Sequence, residues 1–223
     1  VGVEMSFEAL PVFDVASVPS FYGESAAAVC TDAQAGLSQD YRFARRISKR
    51  TAIDATRVAN AAKHLQRLPG RDEDIHIAFR GNFDAFDLTP AVLELAQVNA
   101  EELLVATLGF NEKGTARLLD LLDTGRIRSC WFLVSVYFQG ACRSTFDYLA
   151  EQLTRRGQRV AARRNHAKIQ ALKLADGRCY VIESSANLRS CRNVEQAMLT
   201  ESPDLYAFHR SWMDELFSQE SQK

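Results

Sequence analysis

Short apolar segments alternate with segments of helical periodicity over residues 75–217 of this 223-residue chain. Residues 103–108 and 127–138 are rich in leucine, valine and aromatic side chains, a composition typical of buried strands. Between them, leucines recur at helical spacing after Asn111, a residue type that caps helices well. Strands that alternate with helices predict an α/β sandwich with a substantially parallel or mixed sheet.

Further segments extend this pattern in both directions. Residues 75–79 predict a strand, and residues 88–96 predict a helix with Pro90 near its first turn, where proline is tolerated. The C-terminal half predicts a helix from Ser144 or Thr145 to Gly157, a strand from Arg159 into His166, a strand over 179–182 and a helix from Asp204.

Residues 1–70 lie outside this alternation and predict a largely helical extension that packs on the core. Residues 38–68 combine helical periodicity with many basic side chains, and Pro69 and Gly70 end that element. We therefore divide the chain into an extension over 1–70, which contains a basic helix, and an α/β domain over 71–223.

Composition excludes several classes of protein. The chain is 47% hydrophobic and 25% charged, which is typical of a folded domain. No apolar run approaches the roughly 20 residues that span a bilayer, and we expect no secretory signal. The five cysteines are odd in number and form no C-x-x-C pair. We therefore expect reduced thiols, a cytoplasmic location, no membrane contact and no structural zinc.

The most informative group of side chains lies towards the C-terminus. His166 and Lys168 are two residues apart between strand-like flanks, so alternation along a strand would place both on one face. A second apolar run ends in Ser-Ser-Ala-Asn at 184–187, and Glu195 follows. A nucleophile, a cation and neutral donors are the groups needed to hold and attack a phosphate.

These residues resemble the signature of the phospholipase D superfamily, which is H-x-K, then G-S-x-N, then a downstream Glu. The matching positions are His166 and Lys168, Ser185 and Asn187, and Glu195. Two positions depart from the signature: Lys173 replaces an Asp that usually has a structural role, and Ser184 replaces the Gly. The resemblance covers roughly residues 75–217. It implies a phospholipase D-like mixed β-sheet flanked by helices, with 71–223 as the catalytic domain.

The family normally uses two copies of this motif, and only His166 among the four histidines has Lys two residues later. The resemblance therefore implies a homodimer in which two His166 side chains share one site. One would attack phosphorus and form a phosphohistidine, held by Glu195, and the other would protonate the leaving oxygen. Lys168, Asn187 and Ser185 would neutralise and hydrogen-bond the phosphate, with no metal and no cofactor.

Basic residues are concentrated in two segments, 42–67 and 155–178, although the net charge is −1. Such segments can present a positive surface to a polyphosphate; the alternative is a set of solvated helix faces balanced by acids elsewhere. The overlap of 155–178 with the motif favours a nucleic acid, DNA or RNA, as substrate. The candidate substrate-binding residues are Arg45, Arg46, Arg163 and Arg164.

The sequence therefore predicts a homodimeric, metal-independent phosphodiesterase, with a nuclease as the first hypothesis. A catalytically inactive nucleic-acid-binding protein with the same fold is the alternative, which Lys173 keeps open. A phospholipid-directed phosphodiesterase ranks third, because neither an apolar entry surface nor an export signal is evident.

Overall fold

The computed structural model describes residues 49–81, 83–189 and 193–219. In chain order the elements are α1 (Lys49–Leu65), β1 (Asp74–Phe79), a 3₁₀ turn (Ala85–Asp87), α2 (Leu88–Ala96), β2 (Ala100–Thr107), α3 (Glu112–Asp123), β3 (Ile127–Ser135), α4 (Val136–Ala141), α5 (Arg143–Arg155), β4 (Arg159–Arg163), β5 (Ile169–Leu174), β6 (Cys179–Ser184), β7 (Glu195–Glu201) and α6 (Pro203–Ser218).

The strands form one seven-stranded sheet in the order β1-β7-β6-β5-β2-β3-β4. β2, β3 and β4 are parallel, and from β2 outward β5, β6, β7 and β1 pair antiparallel. The predicted mixed sheet flanked by helices is confirmed. These directions bring the first residues of β5 and β7 to one edge of the sheet, here called the motif edge, together with five strand ends: Phe79, Thr107, Ser135, Arg163 and Ser184.

The two faces of the sheet are covered by different helices. On one face, Tyr206 and Met213 of α6 pack into an apolar cluster with strand residues such as Leu104 and Val181. On the opposite face, Gln170 of β5 is buried and joins the sheet to the start of α2. Its Oε1 accepts from Thr89 Oγ1 at 2.7 Å, and its Nε2 donates to the carbonyl of Ala85 at 2.9 Å.

Helix α1 belongs to the predicted extension and packs on the α/β domain. Its Ala61 and Leu65 are buried. Arg57 of the same helix forms salt bridges with Asp84 at 2.6 Å and Asp87 at 3.2 Å, next to the 3₁₀ turn. The division of the chain at residue 70 stays a prediction, and Arg45 and Arg46 lie outside the described residues.

Strand β3 is shorter than predicted, because it ends at Ser135 and residues 136–141 form α4. The Ser135 hydroxyl accepts from the Tyr137 amide at 3.2 Å and thereby caps α4. Phe138 of α4 is buried, with its ring 4.7 Å from that of Phe110. The apolar run continues from the strand into the helix. Over so few residues, periodicity cannot distinguish a strand from a helix.

Several other boundaries agree closely with prediction, although β2 begins at Ala100, before the predicted run, and no strand was predicted where β7 lies. Helix α2 has the predicted bounds, and the Asn111 side chain caps α3 by accepting from the Gly114 amide at 2.8 Å. Gly157 follows α5 with a φ of 68°, which favours glycine. The last helix begins at Pro203, one residue before the predicted start, since Ser202 is its cap.

The expectation that all cysteines are reduced is wrong at Cys142, which is disulfide-bonded. Cys130 and Cys179 are free and buried. The number and spacing of cysteines could not reveal which ones the fold brings together. The cytoplasmic location stays a prediction. Among the described residues, no helix has both the length and the apolar composition needed to cross a membrane.

Candidate active site

The predicted catalytic residues converge on the motif edge. His166 and Lys168 lie in the connection between β4 and β5, Ser185 and Asn187 follow β6, and Glu195 begins β7. The antiparallel pairing of β5, β6 and β7 makes these three connections neighbours, since Ile169 pairs with Glu183 and Ser184 pairs with Ala197. The sheet topology thus assembles residues that are up to 29 positions apart in sequence.

The strand predicted to run into His166 instead ends at Arg163. Asn165 explains the difference, because its side chain replaces strand pairing on both sides. Its Nδ2 donates to the carbonyl of Thr107 at 3.2 Å, and its Oδ1 accepts from the Ala167 amide at 2.8 Å. The connection is therefore fixed to the end of β2, which presents His166 to solvent.

His166 and Lys168 nevertheless share one space, as expected. The Lys168 ammonium lies 3.1 Å from His166 Nδ1 and donates to the His166 carbonyl at 2.8 Å. An ammonium can only donate, so this contact makes Nδ1 an acceptor and leaves Nε2 directed away from the lysine. Partial burial lowers the pKa of Lys168, and the charge of Glu195 opposes that shift.

The loop after β6 connects to the start of β7 through Ser185. The Ser185 hydroxyl donates to Glu195 Oε2 and accepts from the Gln196 amide at 3.1 Å. The Ser185 amide donates to the carbonyl of Gln196 at 3.0 Å. In the single chain, Glu195 therefore holds Ser185, and it reaches the His–Lys pair through its charge on Lys168 rather than by a bond to His166.

Asn187 has an unusual environment. Its Oδ1 is buried and has no hydrogen-bond partner among the described residues. Buried polar atoms without partners are rare and costly. The backbone beside it is firmly held, since the Leu188 amide donates to the carbonyl of Gly109 at 3.1 Å. The backbone next to Asn187 is thus held in place, while its side-chain Oδ1 stays an acceptor without a partner among the described residues.

Most of the basic residues between 155 and 178 are engaged within the fold. They contact acids or carbonyls as follows: Arg155 with Glu151, Arg156 with Asp123, Arg159 with Asp214, Arg163 with the carbonyls of Leu216 and Gln219, Lys173 with Glu101, and Arg178 with Asp176. Arg164, by contrast, is exposed and makes no ion pair or hydrogen bond with a described residue.

Of the two candidate arginines in this segment, Arg163 therefore caps the C-terminus of α6, whereas Arg164 is open to a ligand. In the other basic segment, Arg57 and Arg67 are paired with acids of the same chain. These two arginines are therefore balanced by acids within the chain, which was the alternative to a surface for nucleic acid.

One of the two positions that depart from the family signature, Lys173, lies far from the site. Lys173 is five residues beyond Lys168 along β5, which corresponds to about 16 Å at the rise of a strand. It forms an ion pair with Glu101 at 3.0 Å at the opposite edge of the sheet. Asp176, the nearest acid in sequence, pairs with Arg178 at that same edge.

Sequence reasoning missed Asn165 and Thr107 as organising residues of the site. The Thr107 hydroxyl donates to the carbonyl of Gly109 at 2.9 Å, while its own carbonyl receives Asn165. An Asn directly before H-x-K was the available signal, since Asn side chains commonly bond the backbone two residues on. Nothing in the sequence pointed to Thr107, because its role depends on strand pairing.

The described strands form the mixed sheet that the resemblance implied, and the five motif residues lie together at its motif edge. No protein-family model and no curated protein matches this sequence. Among solved structures, the chain is similar to Nuc from Salmonella typhimurium, described as a phospholipase D family member, with 14% identity and a TM-score of 0.43 over 64% of this chain and 93% of that one.

Two further solved structures are similar to this chain. NucT from Helicobacter pylori has 16% identity and a TM-score of 0.43, over 64% of this chain and 95% of that one. TrmBL2, described as an archaeal chromatin protein with a novel mode of DNA binding, has 16% identity and a TM-score of 0.39, over 64% of this chain and 51% of that one. These are likenesses of fold, and the chemistry of the site follows from its own residues.

Proposed function

We propose that this protein is a metal-independent phosphodiesterase, specifically a nuclease that acts on DNA or RNA through a phosphohistidine in a site shared by two subunits. The observation that carries the proposal is the exposed His166, in contact with Lys168 and grouped with Ser185, Asn187 and Glu195 at one edge of the sheet. This set supplies nucleophile, cation and neutral donors together.

A single chain has one such histidine, whereas the chemistry needs a nucleophile and an acid at once. The two roles require opposite proton positions on the ring, because a nucleophilic Nε2 needs its lone pair and an acidic Nε2 needs its hydrogen. The contact from Lys168 to Nδ1 favours the second arrangement. A second copy of the chain, with its Nδ1 turned to an acid such as Glu195, would supply the first.

The proposed reaction has two steps. In the first, Nε2 of one His166 bonds to phosphorus, the bond from phosphorus to the leaving oxygen breaks, and the second His166 gives that oxygen its proton. In the second, water bonds to phosphorus, the phosphorus–nitrogen bond breaks, and the second His166 takes the water's proton. In both steps Lys168 would balance the charge on the non-bridging oxygens, and the Asn187 side-chain NH2 would donate a hydrogen bond to them.

The place of Lys173 supports retention of activity. Its side chain is paired with Glu101 at the opposite edge, so this departure from the family signature removes no group from the motif edge. Ser184, the other departure, lies at the motif edge, where its hydroxyl donates to the carbonyl of Ala186 at 3.1 Å. The alternative, a nucleic-acid-binding protein without turnover, is favoured by one observation. Glu195 is bonded to Ser185, and within the part of the chain that the structure describes no acid is bonded to His166.

The first test is hydrolysis of a small phosphodiester, of DNA and of RNA, with EDTA present throughout. We expect turnover of the small ester and of at least one polymer. Binding without any turnover would establish the alternative function, and activity that disappears with EDTA and returns with a divalent ion would contradict the metal-free mechanism.

Subunit mixing tests the shared site directly. Wild-type and His166→Asn chains are dissociated, mixed in equal amounts and allowed to reassociate. If each site needs two His166 side chains, only wild-type pairs are active and total activity falls to about a quarter of an all-wild-type sample. Independent subunits would retain about half. A monomer by light scattering would also exclude the shared site.

A further inference from the structure

An exposed tyrosine stands beside the proposed phosphate site. Strands β3 and β4 end in register, with Ser135 paired to Arg163. The residues that follow each strand are therefore neighbours at the motif edge: Val136 and Tyr137 on one side, and Arg164 on the other. Arg164 is two residues from His166, so this surface adjoins the candidate catalytic group.

Tyr137 is exposed although the helix around it is anchored. Its side chain is 57% exposed, and no ring contact or side-chain hydrogen bond joins it to a described residue. Its backbone is fixed, since its amide donates to the Ser135 hydroxyl and the next residue, Phe138, is buried. A side chain added at Gly109 would come within 2.7 Å of the Phe138 ring, so α4 sits closely on the loop after β2.

The neighbouring charge is positive and unpaired. Arg164 is exposed without a partner among the described residues. Lys168, which contacts His166, adds a second cation at the motif edge. An aromatic face next to cations is the combination that binds single-stranded nucleic acid, because bases stack on the ring while cations follow the phosphates. A duplex keeps its bases stacked internally and cannot offer them to such a ring.

We propose that Tyr137 and Arg164 form a stacking step that engages an unpaired nucleotide next to the scissile phosphate, so that the preferred substrate is single-stranded nucleic acid. This inference rests on the proposed function, because it takes the phosphodiester at His166 to belong to a nucleic acid. The Tyr137 ring stacks on a base, and the Arg164 guanidinium contacts the adjoining phosphate.

The test measures binding by the full chain carrying His166→Asn, so that no substrate is consumed. The probes are a labelled single-stranded oligonucleotide, the matching duplex, and an abasic oligonucleotide of equal length and charge. We expect Tyr137→Ala to weaken binding of the base-bearing strand by about 5- to 150-fold. The abasic strand should lose much less, and Tyr137→Phe should bind almost as tightly as the parent.

Two control variants are matched to this pair. Tyr148 is 50% exposed on α5 and interacts with Arg156 near the end of that helix, away from the motif edge, so Tyr148→Ala should not change binding. Arg128 is exposed near the start of β3, and Arg128→Ala serves as the control for Arg164→Ala. Only Arg164→Ala should reduce the salt dependence of binding.

Three results would overturn the inference. The first is equal loss of affinity for base-bearing and abasic strands in Tyr137→Ala. The second is tighter binding of duplex than of single strand by the parent protein. The third is dissociation of a dimer by Tyr137→Ala in light scattering, which would make Tyr137 a contact between subunits. Failure of the proposed function is read separately, as absent hydrolysis of the small phosphodiester by the wild-type protein.

Discussion

Two groups of charged side chains in this molecule have opposite designs. One surrounds Asp87, which is 0% exposed and forms salt bridges with Arg57 of α1 and Arg117 of α3. Asp84 lies beside it and binds the same Arg57 at 2.6 Å. In this group, every charge faces an opposite charge of the same chain across three different elements.

The other group lies at the motif edge. His166 and Ser185 are exposed, and Asn187 keeps a buried oxygen without a partner among the described residues. The charge of Glu195 acts on Lys168, and Glu195 is itself bonded to Ser185. Exposed groups of this kind are open to solvent, and in the proposed function a substrate and a second subunit would contact them.

The comparison separates stability from function. A buried ion group that is complete within the chain is strongly destabilised by removal of one member, because the remaining charge is left unpaired. An exposed and incomplete group contributes little to folding, so its members can change with small effects on stability and large effects on chemistry. The predictions below test that separation, beginning with the largest effect.

Replacement of His166 by Asn should have the largest effect of all. The same residue supplies nucleophile and acid in the proposed mechanism, so turnover of a small phosphodiester should fall by on the order of 10⁴-fold or more. The free energy of unfolding should change little, because the ring is exposed. His76→Asn, at an exposed position on β1, is the matched control. Substantial residual activity in His166→Asn would remove this residue from the mechanism.

Replacement of Asp87 by Ala should show the reverse pattern. Two arginines would lose a buried partner, and we expect a loss of about 3–5 kcal/mol in the free energy of unfolding, measured by chemical denaturation. Activity per folded molecule should stay close to that of the wild type. The control is Asp120→Ala on the exposed side of α3, expected within about 0.5 kcal/mol. A loss below about 1 kcal/mol for Asp87→Ala would contradict the contrast drawn here.

Much of the fold followed from local sequence patterns. The bounds of α2, the cap at Asn111 and the sequence of strands and helices depend on residues close together in the chain. The predicted end of β3 was wrong because the apolar run continues past Ser135 into α4, and over a few residues apolar composition does not distinguish a strand from a helix. The disulfide at Cys142 depends on a long-range approach that spacing does not reveal.

The site shows the same division. The motif named the side chains, but their geometry depends on Asn165, which bonds the end of β2 and ends β4 before His166. The number of basic residues in each segment cannot show which of them are paired within the fold. The fold uses Arg57 and Arg163 internally and leaves Arg164 open, a difference that only the packing of helices α1 and α6 decides.

A substitution of Lys168 tests the proposed chemistry at a second residue of the motif edge. Loss of a preorganised cation at the phosphate should lower kcat by about 10²- to 10³-fold in Lys168→Ala. Lys173→Ala is the matched control, since this lysine of the same strand pairs with Glu101 at the opposite edge. Equal effects of the two substitutions would show that general charge, not position, matters.

The lowered pKa of Lys168 predicts the alkaline limit of activity. Because burial lowers this pKa, the ammonium is lost at a lower pH than that of an ordinary lysine, which titrates near about 10.4. The profile of kcat/KM against pH should therefore decline below that value. In Lys168→Arg the side chain stays charged, so the decline should move to higher pH. An unchanged decline would assign it to another group.

The smallest expected effect concerns His209. Like the Asp87 group, this buried residue has its partners within the chain. It is 3% exposed, its Nδ1 accepts from Trp212 Nε1 at 3.0 Å, and its Nε2 lies 3.0 Å from Glu183 Oε1. Since the indole can only donate, the neutral ring must carry its hydrogen on Nε2, and protonation of Nδ1 would break the bond to Trp212.

Burial accordingly lowers the pKa of His209, although Glu183 opposes the shift. The unfolded chain then binds this proton more readily than the folded one, so the stabilising effect is complete above about pH 6.5 and is lost as pH falls towards the lowered pKa. One proton limits the slope to about 1.4 kcal/mol per pH unit. Denaturation of the wild type and of His209→Gln at several pH values should show this slope only in the wild type. Parallel curves would mean that His209 takes up its proton equally in both states, and that its two bonds do not hold it neutral.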